Sequence, residues 1–388
     1  MKIALNCFGV MLLLSQAALA AEADPALQGE NEAADEGLLS VLRNGELHLI
    51  PRYRYEYNDE DGQRNLGKSS TLRTRLNYRT PAARGWTAFL EIDDVRSLGP
   101  DLYNSTRNGR VDRPAIPDPE GTELNQALLS YAGESYALTL GRQRLSLDDQ
   151  RFIGSSAWRQ NEQTFDAITG RARYSRAEFL YSYVDNVNRS VGPDRGSPPG
   201  DLRSNSHLLN ARFVLGPLGS LATFAYLLEF DNSPELSTNT YGATWNGSFE
   251  LPRGFSAVYS LSFAQQEDST NNLNNFTAQF GQLQLGLRYR GWTATVGRDV
   301  LTGDANRLNV SFQTPLGTLH GRQGFADKFT ITPAQGLIDD YISFSGTWRS
   351  LSLLLSARRF ASEVSNQDYG HEFDVQLTYR VQRDTTCC

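Results

Sequence analysis

The sequence predicts an all-β protein: a transmembrane antiparallel β-barrel of 18 strands, with 16 as the alternative, short periplasmic turns and long extracellular loops. The mean hydropathy is -0.45 although the chain has 17 tyrosines and 19 phenylalanines. Apolar and polar residues alternate along many short segments, and short connections alternate with long polar ones. Outward apolar and inward polar positions average to this composition in a membrane barrel.

The N-terminus predicts export. Residues 1–20 contain one basic residue, Lys2, a short apolar run and an A-x-A sequence ending at Ala20, which together indicate a signal peptide. We expect an acidic, flexible leader over residues 21–45, the barrel over 46–381 and a tail over 382–388. Cys387 and Cys388 lie in that tail, so the cysteines predict no disulfide framework.

The first predicted hairpin has one apolar and one cationic face, because successive strand side chains point to opposite sides. A soluble sandwich would show the same pattern in a single hairpin, so its repetition along the chain decides for a barrel. The charges that we expect to line the lumen on this hairpin and the next strand are Arg52, Arg54, Arg73, Arg75, Arg79, Glu91 and Asp93.

Later segments repeat the alternation, and we expect their apolar side to face lipid. Examples are Leu76, Leu90, Leu261 and Leu285, and the series that contains Ala222, Phe224, Tyr226 and Leu228. Counting short and long connections gives 18 strands with both termini periplasmic. The weakest pair is Leu308–Gln313 with Thr318–His320, and omitting it leaves 16. Closure into a barrel removes the exposed edges of an open sheet.

The stretch from Gly141 to Asp166 is unusual because it combines dense charge with aromatic residues between two strands. We expect it to enter the lumen and form a constriction, where rings of arginine attract anions. Two alternatives remain, namely an exterior loop with weak ion pairs and a set of pairs that only braces the barrel. The candidate constriction residues are Arg142, Arg144, Arg151, Arg159, Asp148, Glu162 and Asp166.

Several segments resemble the alginate-export family of outer-membrane channels. They are STLRTRLNYR around Arg73–Arg75, DPEGTELNQALLSY at Asp118–Tyr131, GRQRLSLDDQRF at Gly141–Phe152, WRQNEQTFDA at Trp158–Ala167 and FQTPLGTLHGRQGFADKF at Phe312–Phe329. The resemblance implies an 18-stranded barrel with an arginine-rich constriction buttressed by carboxylates. By motif it assigns Arg142, Arg144, Arg151, Arg159 and Asp166 to that constriction. The chain departs from the family in being short for a dedicated exporter.

These features predict a channel for anionic solutes, such as acidic sugars or an alginate-like polysaccharide, working by passive diffusion or export. The alternatives are a general small-solute porin, a structural barrel or adhesin, and an outer-membrane hydrolase. The four histidines form no cluster; they are His48, His207, His320 and His371. No G-x-S-x-G motif is present either. We therefore expect that the protein is not an enzyme and that it has no cofactor or metal site.

The predicted location is the outer membrane of a Gram-negative bacterium. The expected partners are outer-membrane lipid and lipopolysaccharide, the barrel-assembly machinery, an anionic saccharide or carboxylate substrate, and periplasmic export partners. We expect no nucleic-acid partner.

Overall fold

The computed structural model describes residues 42–192 and 198–381. The predicted signal peptide, nearly all of the predicted leader and the predicted tail therefore lie outside the described residues. Sixteen strands form one sheet in sequence order, each antiparallel to the next. They are β1 (Glu46–Asn58), β2 (Gly67–Arg79), β3 (Trp86–Ser97), β4 (Gly121–Ala132), β5 (Tyr136–Gln143), β6 (Thr164–Tyr174), β7 (Ala177–Asn188), β8 (Asp201–Val214), β9 (Ser220–Leu228), β10 (Thr238–Leu251), β11 (Phe255–Asp268), β12 (Thr277–Tyr289), β13 (Trp292–Leu301), β14 (Leu337–Trp348), β15 (Leu351–Ala361) and β16 (Asp368–Tyr379).

Short 3-10 helices lie in the connections at Gly216–Leu218, Pro234–Leu236 and Pro252–Gly254. In the part of the chain that the structure describes, no helix has the length and apolar character needed to cross a membrane.

The sheet has an apolar outer face and a largely polar inner face. Leu76, Leu90, Leu261 and Leu285 are all exposed on the outer face, as strand parity predicted. The neighbouring residues Gln282 and Gln284 point to the other side, where Gln282 is buried. This division is that of a membrane β-barrel, so the all-β barrel prediction is confirmed.

The end strands β1 and β16 approach the same interior segment. Arg159 pairs with Glu56 of β1 at 3.3 Å and with Asp327 at 2.6 Å. The nearby backbone N–H groups of Phe325 and Ala326 donate to Glu372 of β16. Among the described residues the ladders run from β1 to β16, and these interior contacts join the two ends.

The described residues form 16 strands, so the primary expectation of 18 is wrong and the alternative of 16 is confirmed. The two segments that would have formed the extra pair lie in the connection between β13 and β14. Phe312 and Leu316 are fully buried there, and Leu316 forms a parallel bridge with Ile153. Val310 and Phe312 of the first segment are buried inside the barrel and do not face lipid, whereas Leu308 is exposed.

Strand β9 presents its aromatic residues to the interior, which corrects the expectation that this face meets lipid. Phe224, Tyr226 and Leu228 are 6%, 2% and 4% exposed. Phe224 is the register partner of Asn210, whose side chain donates to Asp148 in an interior loop. The inner wall is apolar here because apolar loop residues cover it, including Leu145, Leu147, Ile153, Val310 and Phe312.

Candidate channel constriction

Two connections fill much of the barrel interior. Inner loop A is Arg144–Gln163, between β5 and β6, and inner loop B is Thr302–Gly336, between β13 and β14. The backbone N–H of Gly154 donates to the Leu316 carbonyl at 2.9 Å, where the two loops cross. A Cβ atom on Gly154 would lie 2.2 Å from Thr318 Oγ1, and one on Gly317 would lie 2.1 Å from the Arg151 carbonyl oxygen. Glycine at both positions therefore permits the loops to pack as one layer.

Aromatic residues anchor this layer to the wall. The Phe152 ring lies 4.7 Å from that of Phe224 and 5.8 Å from that of Phe280, measured between centroids. The Trp158 ring stacks on the His320 imidazole at 3.8 Å, and the Arg54 guanidinium lies 4.5 Å from the Trp158 ring centroid. Phe152 and Trp158 thus position the loops.

A charged network joins inner loop A to β2 and β3, and Glu162 is at its centre. Glu162 Oε1 accepts from Arg75 Nη2 at 2.7 Å and from Arg73 Nη1 at 3.2 Å. Its other oxygen accepts from Arg144 Nε. Arg144 Nη2 also donates to Glu91 Oε1 at 2.5 Å. One carboxylate in this way ties three arginines from separate parts of the chain.

The carboxylates of this network are more deeply buried than Arg144, which is partly exposed to solvent. The side chains of Glu91, Asp93 and Glu162 are 2%, 3% and 4% exposed, whereas that of Arg144 is 18% exposed. Asp93 holds Arg75 by two hydrogen bonds, at 2.8 and 2.7 Å. Such bidentate, charge-assisted bonds fix a guanidinium in one orientation. The arrangement supports Arg144 from behind.

A second group of contacts fixes inner loop A to β1. Arg52 donates to the carbonyls of Ala157, Trp158 and Arg159 at 2.9, 2.7 and 3.0 Å. Arg54 Nη1 lies 3.5 Å from the fully buried Asp118, which also accepts from the backbone N–H of Gln160 at 2.9 Å. Arg52 and Arg54 therefore serve chiefly to hold the loop.

The loop charges stay ionised in this setting. Burial alone would raise the pKa of Glu162, but Arg144, Arg75 and Arg73 hold that pKa well below its usual range. Burial likewise opposes ionisation of Asp118, and the charges of Arg54 and Arg159 still lower its pKa. Burial disfavours the charge of Arg159, but nearby carboxylates, with Glu56 foremost, raise its pKa.

A third group of pairs lies on the β13–β15 side. Arg151 pairs with Asp299 and Arg358 with Asp339, and all four side chains are buried. Arg322 of inner loop B lies 3.2 Å from Asp149 of inner loop A. In the described residues no group of three or more histidine, cysteine, aspartate or glutamate side chains could hold a metal ion.

Two neighbouring cavities lie inside the barrel, the larger one at the short turns and the smaller one beside the inner loops. The larger has a volume of about 640 Å³ and a polar lining that includes Ser220, Asn246, Gln284 and Arg288. The smaller, about 160 Å³, is lined by Arg151, Arg322, Arg358 and again Gln284. Because Gln284 borders both, the two cavities are neighbours, and the smaller one is the cavity beside the arginines.

Most of the predicted charges point inwards. Arg52, Arg54, Arg73, Arg75, Glu91 and Asp93 are buried on the inner face, and the Arg79 guanidinium lies 5.1 Å from the Phe89 ring centroid. Arg144, Arg151, Arg159 and Glu162 belong to the interior groups described above. Asp148 is bound by Asn210 at 2.6 Å and Arg212 at 2.9 Å on β8, away from Glu162.

Arg142 and Asp166 do not fit the predicted constriction. They pair across β5 and β6 at 2.7 and 2.9 Å, on the same face as the exposed Leu140 and Ile168. That face is the outer one. The physical reason is that β5 continues to Gln143, so the chain turns inwards only after Arg142.

Sequence reasoning missed several interior partners. Asp118 and His320 stood within segments that resemble the alginate-export family, but their side-chain roles depend on contacts with distant loops. Asp299, Asp339 and Arg358 gave a weaker signal, because Asp299 and Asp339 lie at the ends of predicted long polar loops. Their pairing depends on how inner loop B folds, and no local pattern specifies that.

The fold is that of outer-membrane porin β-barrels. OccAB2 of Acinetobacter baumannii matches with a TM-score of 0.67 and 14% identity, over 90% of this chain and 90% of its own. OpdK of Pseudomonas aeruginosa, solved with vanillate, matches with a TM-score of 0.66 and 14% identity, over 89% of this chain and 91% of its own. OccAB4 of A. baumannii matches with a TM-score of 0.64 and 14% identity, over 88% and 89%.

The first part of the chain carries a family signature. Residues 46–181 match the sequence model of the alginate export family. This range runs from the start of β1 into β7 and includes inner loop A. The resemblance inferred from the motifs is therefore confirmed over this region. No curated protein matches the chain in sequence at a significant level.

Proposed function

We propose that this protein is a passive outer-membrane channel for small solutes that prefers anions, with acidic sugars and other carboxylates as its substrate class. The observation that supports the preference is the order of charges at Glu162, where buried carboxylates stand behind the more exposed Arg144. A solute that reaches the layer meets guanidinium N–H groups first, and these suit carboxylates.

The proposal includes placement in a Gram-negative outer membrane. The exposed apolar outer face and the alginate export signature support it. We propose that removal of a signal peptide and the barrel-assembly machinery deliver the protein there, with lipid and lipopolysaccharide around it. Passive diffusion is favoured over dedicated export of a polymer, because the cavity beside Arg151, Arg322 and Arg358 has a volume of about 160 Å³, which is small for a polysaccharide chain.

A general porin without anion preference is the main competitor. Its supporting observation is that the charges around inner loop A balance by count. The arginines are Arg52, Arg54, Arg73, Arg75, Arg144 and Arg159, and the carboxylates are Glu56, Glu91, Asp93, Asp118, Glu162 and Asp327. Preference then depends on which charges face the solute.

Arg142 and Arg144 offer a matched pair of variants. Both arginines are close in sequence, but Arg142 lies on the outer face and Arg144 on the inner one. In planar bilayers, Arg144→Gln should shift the reversal potential in a salt gradient towards cations, and Arg142→Gln should not. The shift should shrink at 1 M salt, where the screening length is about 3 Å. Equal reversal potentials for the two variants would contradict the proposal.

A further inference from the structure

A row of polar residues crosses four adjacent strands on the outer face. Arg298 of β13, Asp340 of β14, Arg359 of β15 and His371 of β16 are successive register partners. We call these four residues the cationic row. Arg298 binds Asp340 through two bonds, at 2.5 and 2.8 Å. Asp340 is the one carboxylate of the row and lies between two arginines, Arg298 and Arg359, so the row has an excess of positive charge.

The height of the row corresponds to the outer boundary of the membrane. Asp340 lies eight residues along β14 from Trp348, which precedes a short turn. That separation is about 27 Å along a strand, or about 20 Å across the membrane for a tilt of about 40°. Since the apolar band of such barrels is about 25 Å tall, Asp340 lies near its upper edge, and because the strands are tilted its register partners differ from it in height by about 3 Å per strand.

The surface below the row is apolar and exposed. Val296, Ile342, Phe373 and Val375 are 53%, 56%, 81% and 68% exposed. They lie on the same strands, closer to the short turns, with the outward parity of the row. A cationic row above an apolar surface is complementary to a lipid, whose anionic headgroup would contact the row and whose acyl chains would contact the apolar surface. A soluble anion would contact the row alone.

We propose that the cationic row binds the phosphate of an anionic lipid headgroup in the outer leaflet, while the acyl chains lie on Val296, Ile342 and Phe373. This inference rests on the membrane placement in the proposed function, but it does not depend on whether the barrel conducts. Two other ion pairs lie on the outer face, namely Arg142–Asp166 and Arg96–Asp94. Each pair balances one arginine with one carboxylate, so neither has the excess of arginine that the cationic row has.

The test uses the full-length mature protein in a non-ionic detergent, with diphosphoryl lipid A as the probe and native mass spectrometry as the readout. Near a membrane surface each arginine contributes about a fivefold change in affinity for anionic lipid. Arg298→Gln with Arg359→Gln should therefore weaken binding at least tenfold. Arg290→Gln with Arg349→Gln is the control, because it removes two exposed arginines from the short-turn end, and it should bind as the wild type does.

A variant that should bind the lipid more tightly distinguishes loss of the site from damage to the fold. Asp340→Asn removes the only carboxylate of the row and should tighten binding, which damage to the fold would not do. Lipid A without phosphates should bind the wild type at least tenfold more weakly, and millimolar inorganic phosphate should not displace diphosphoryl lipid A. Unchanged binding by the double-arginine variant, weaker binding by Asp340→Asn, or displacement by free phosphate would overturn the proposal. Bilayer conductance tests the channel function separately.

Discussion

At the scale of single residues, Glu162 matters most because three arginines depend on it. Glu162→Gln would leave Arg73, Arg75 and Arg144 with less compensation in a buried setting. Removing one member of a buried pair costs about 3–5 kcal/mol, so we expect a loss of that size in the free energy of unfolding, measured by denaturant titration in detergent. Asp94→Asn is the control, because its pair with Arg96 is exposed and should be worth under about 1 kcal/mol.

Acid should act on the same residues. The pKa values of Glu162, Asp118 and Asp327 are lower in the folded protein than is usual for carboxyl groups. Such groups stabilise the fold above their unfolded pKa, about 4, and lose that contribution as the pH falls through the folded value. Stability should therefore hold down to about pH 4 and fall below it. A loss already centred at pH 6 would contradict this account.

At the scale of secondary-structure elements, parity within one strand gives a direct test of the wall. Leu285 of β12 faces outwards, and its neighbour Gln284 lines both interior cavities. Arginine on the lipid face near the membrane midplane costs about 2–4 kcal/mol. Leu285→Arg should lower the free energy of unfolding by that amount, and Gln284→Arg should change it little. Equal costs at the two positions would be incompatible with a barrel.

The elements also show what the sequence could and could not predict. Alternation placed Leu76 and Leu285 correctly, because a strand at the barrel wall has one face in lipid. It failed for Phe224, because an apolar face can meet either lipid or an apolar loop. That choice depends on contacts such as Phe152 with Phe224, which join distant parts of the chain.

The constriction shows the same limit at one strand end. Arg142 and Arg144 have the same parity, so the pattern treated them alike. They separate because β5 ends at Gln143, after which Arg144 turns inwards to Glu162 and Glu91. Where a strand ends depends on how the loops pack. The sequence therefore predicts that charges are dense in this stretch, but it does not predict on which side of the barrel wall Arg142 and Arg144 lie.

At the scale of the whole molecule, the barrel is a polar vestibule beneath a packed layer. The larger cavity, about 640 Å³, adjoins the smaller one, which is lined by Arg151 of inner loop A and Arg322 of inner loop B. Those loops are fixed to β1 by Arg52 and to β16 by Glu372. The proposed anion preference would therefore depend on a fixed arrangement of charges, and we expect it to be the same at all voltages.

The most direct test of anion preference is the reversal potential of the wild-type protein in a planar bilayer. It is measured across a tenfold gradient of potassium chloride at low total salt. A channel that prefers anions should give discrete single-channel steps and a reversal potential displaced towards the equilibrium potential of chloride. A displacement towards that of potassium, or membranes without conductance steps when folded protein is present, would contradict the proposal.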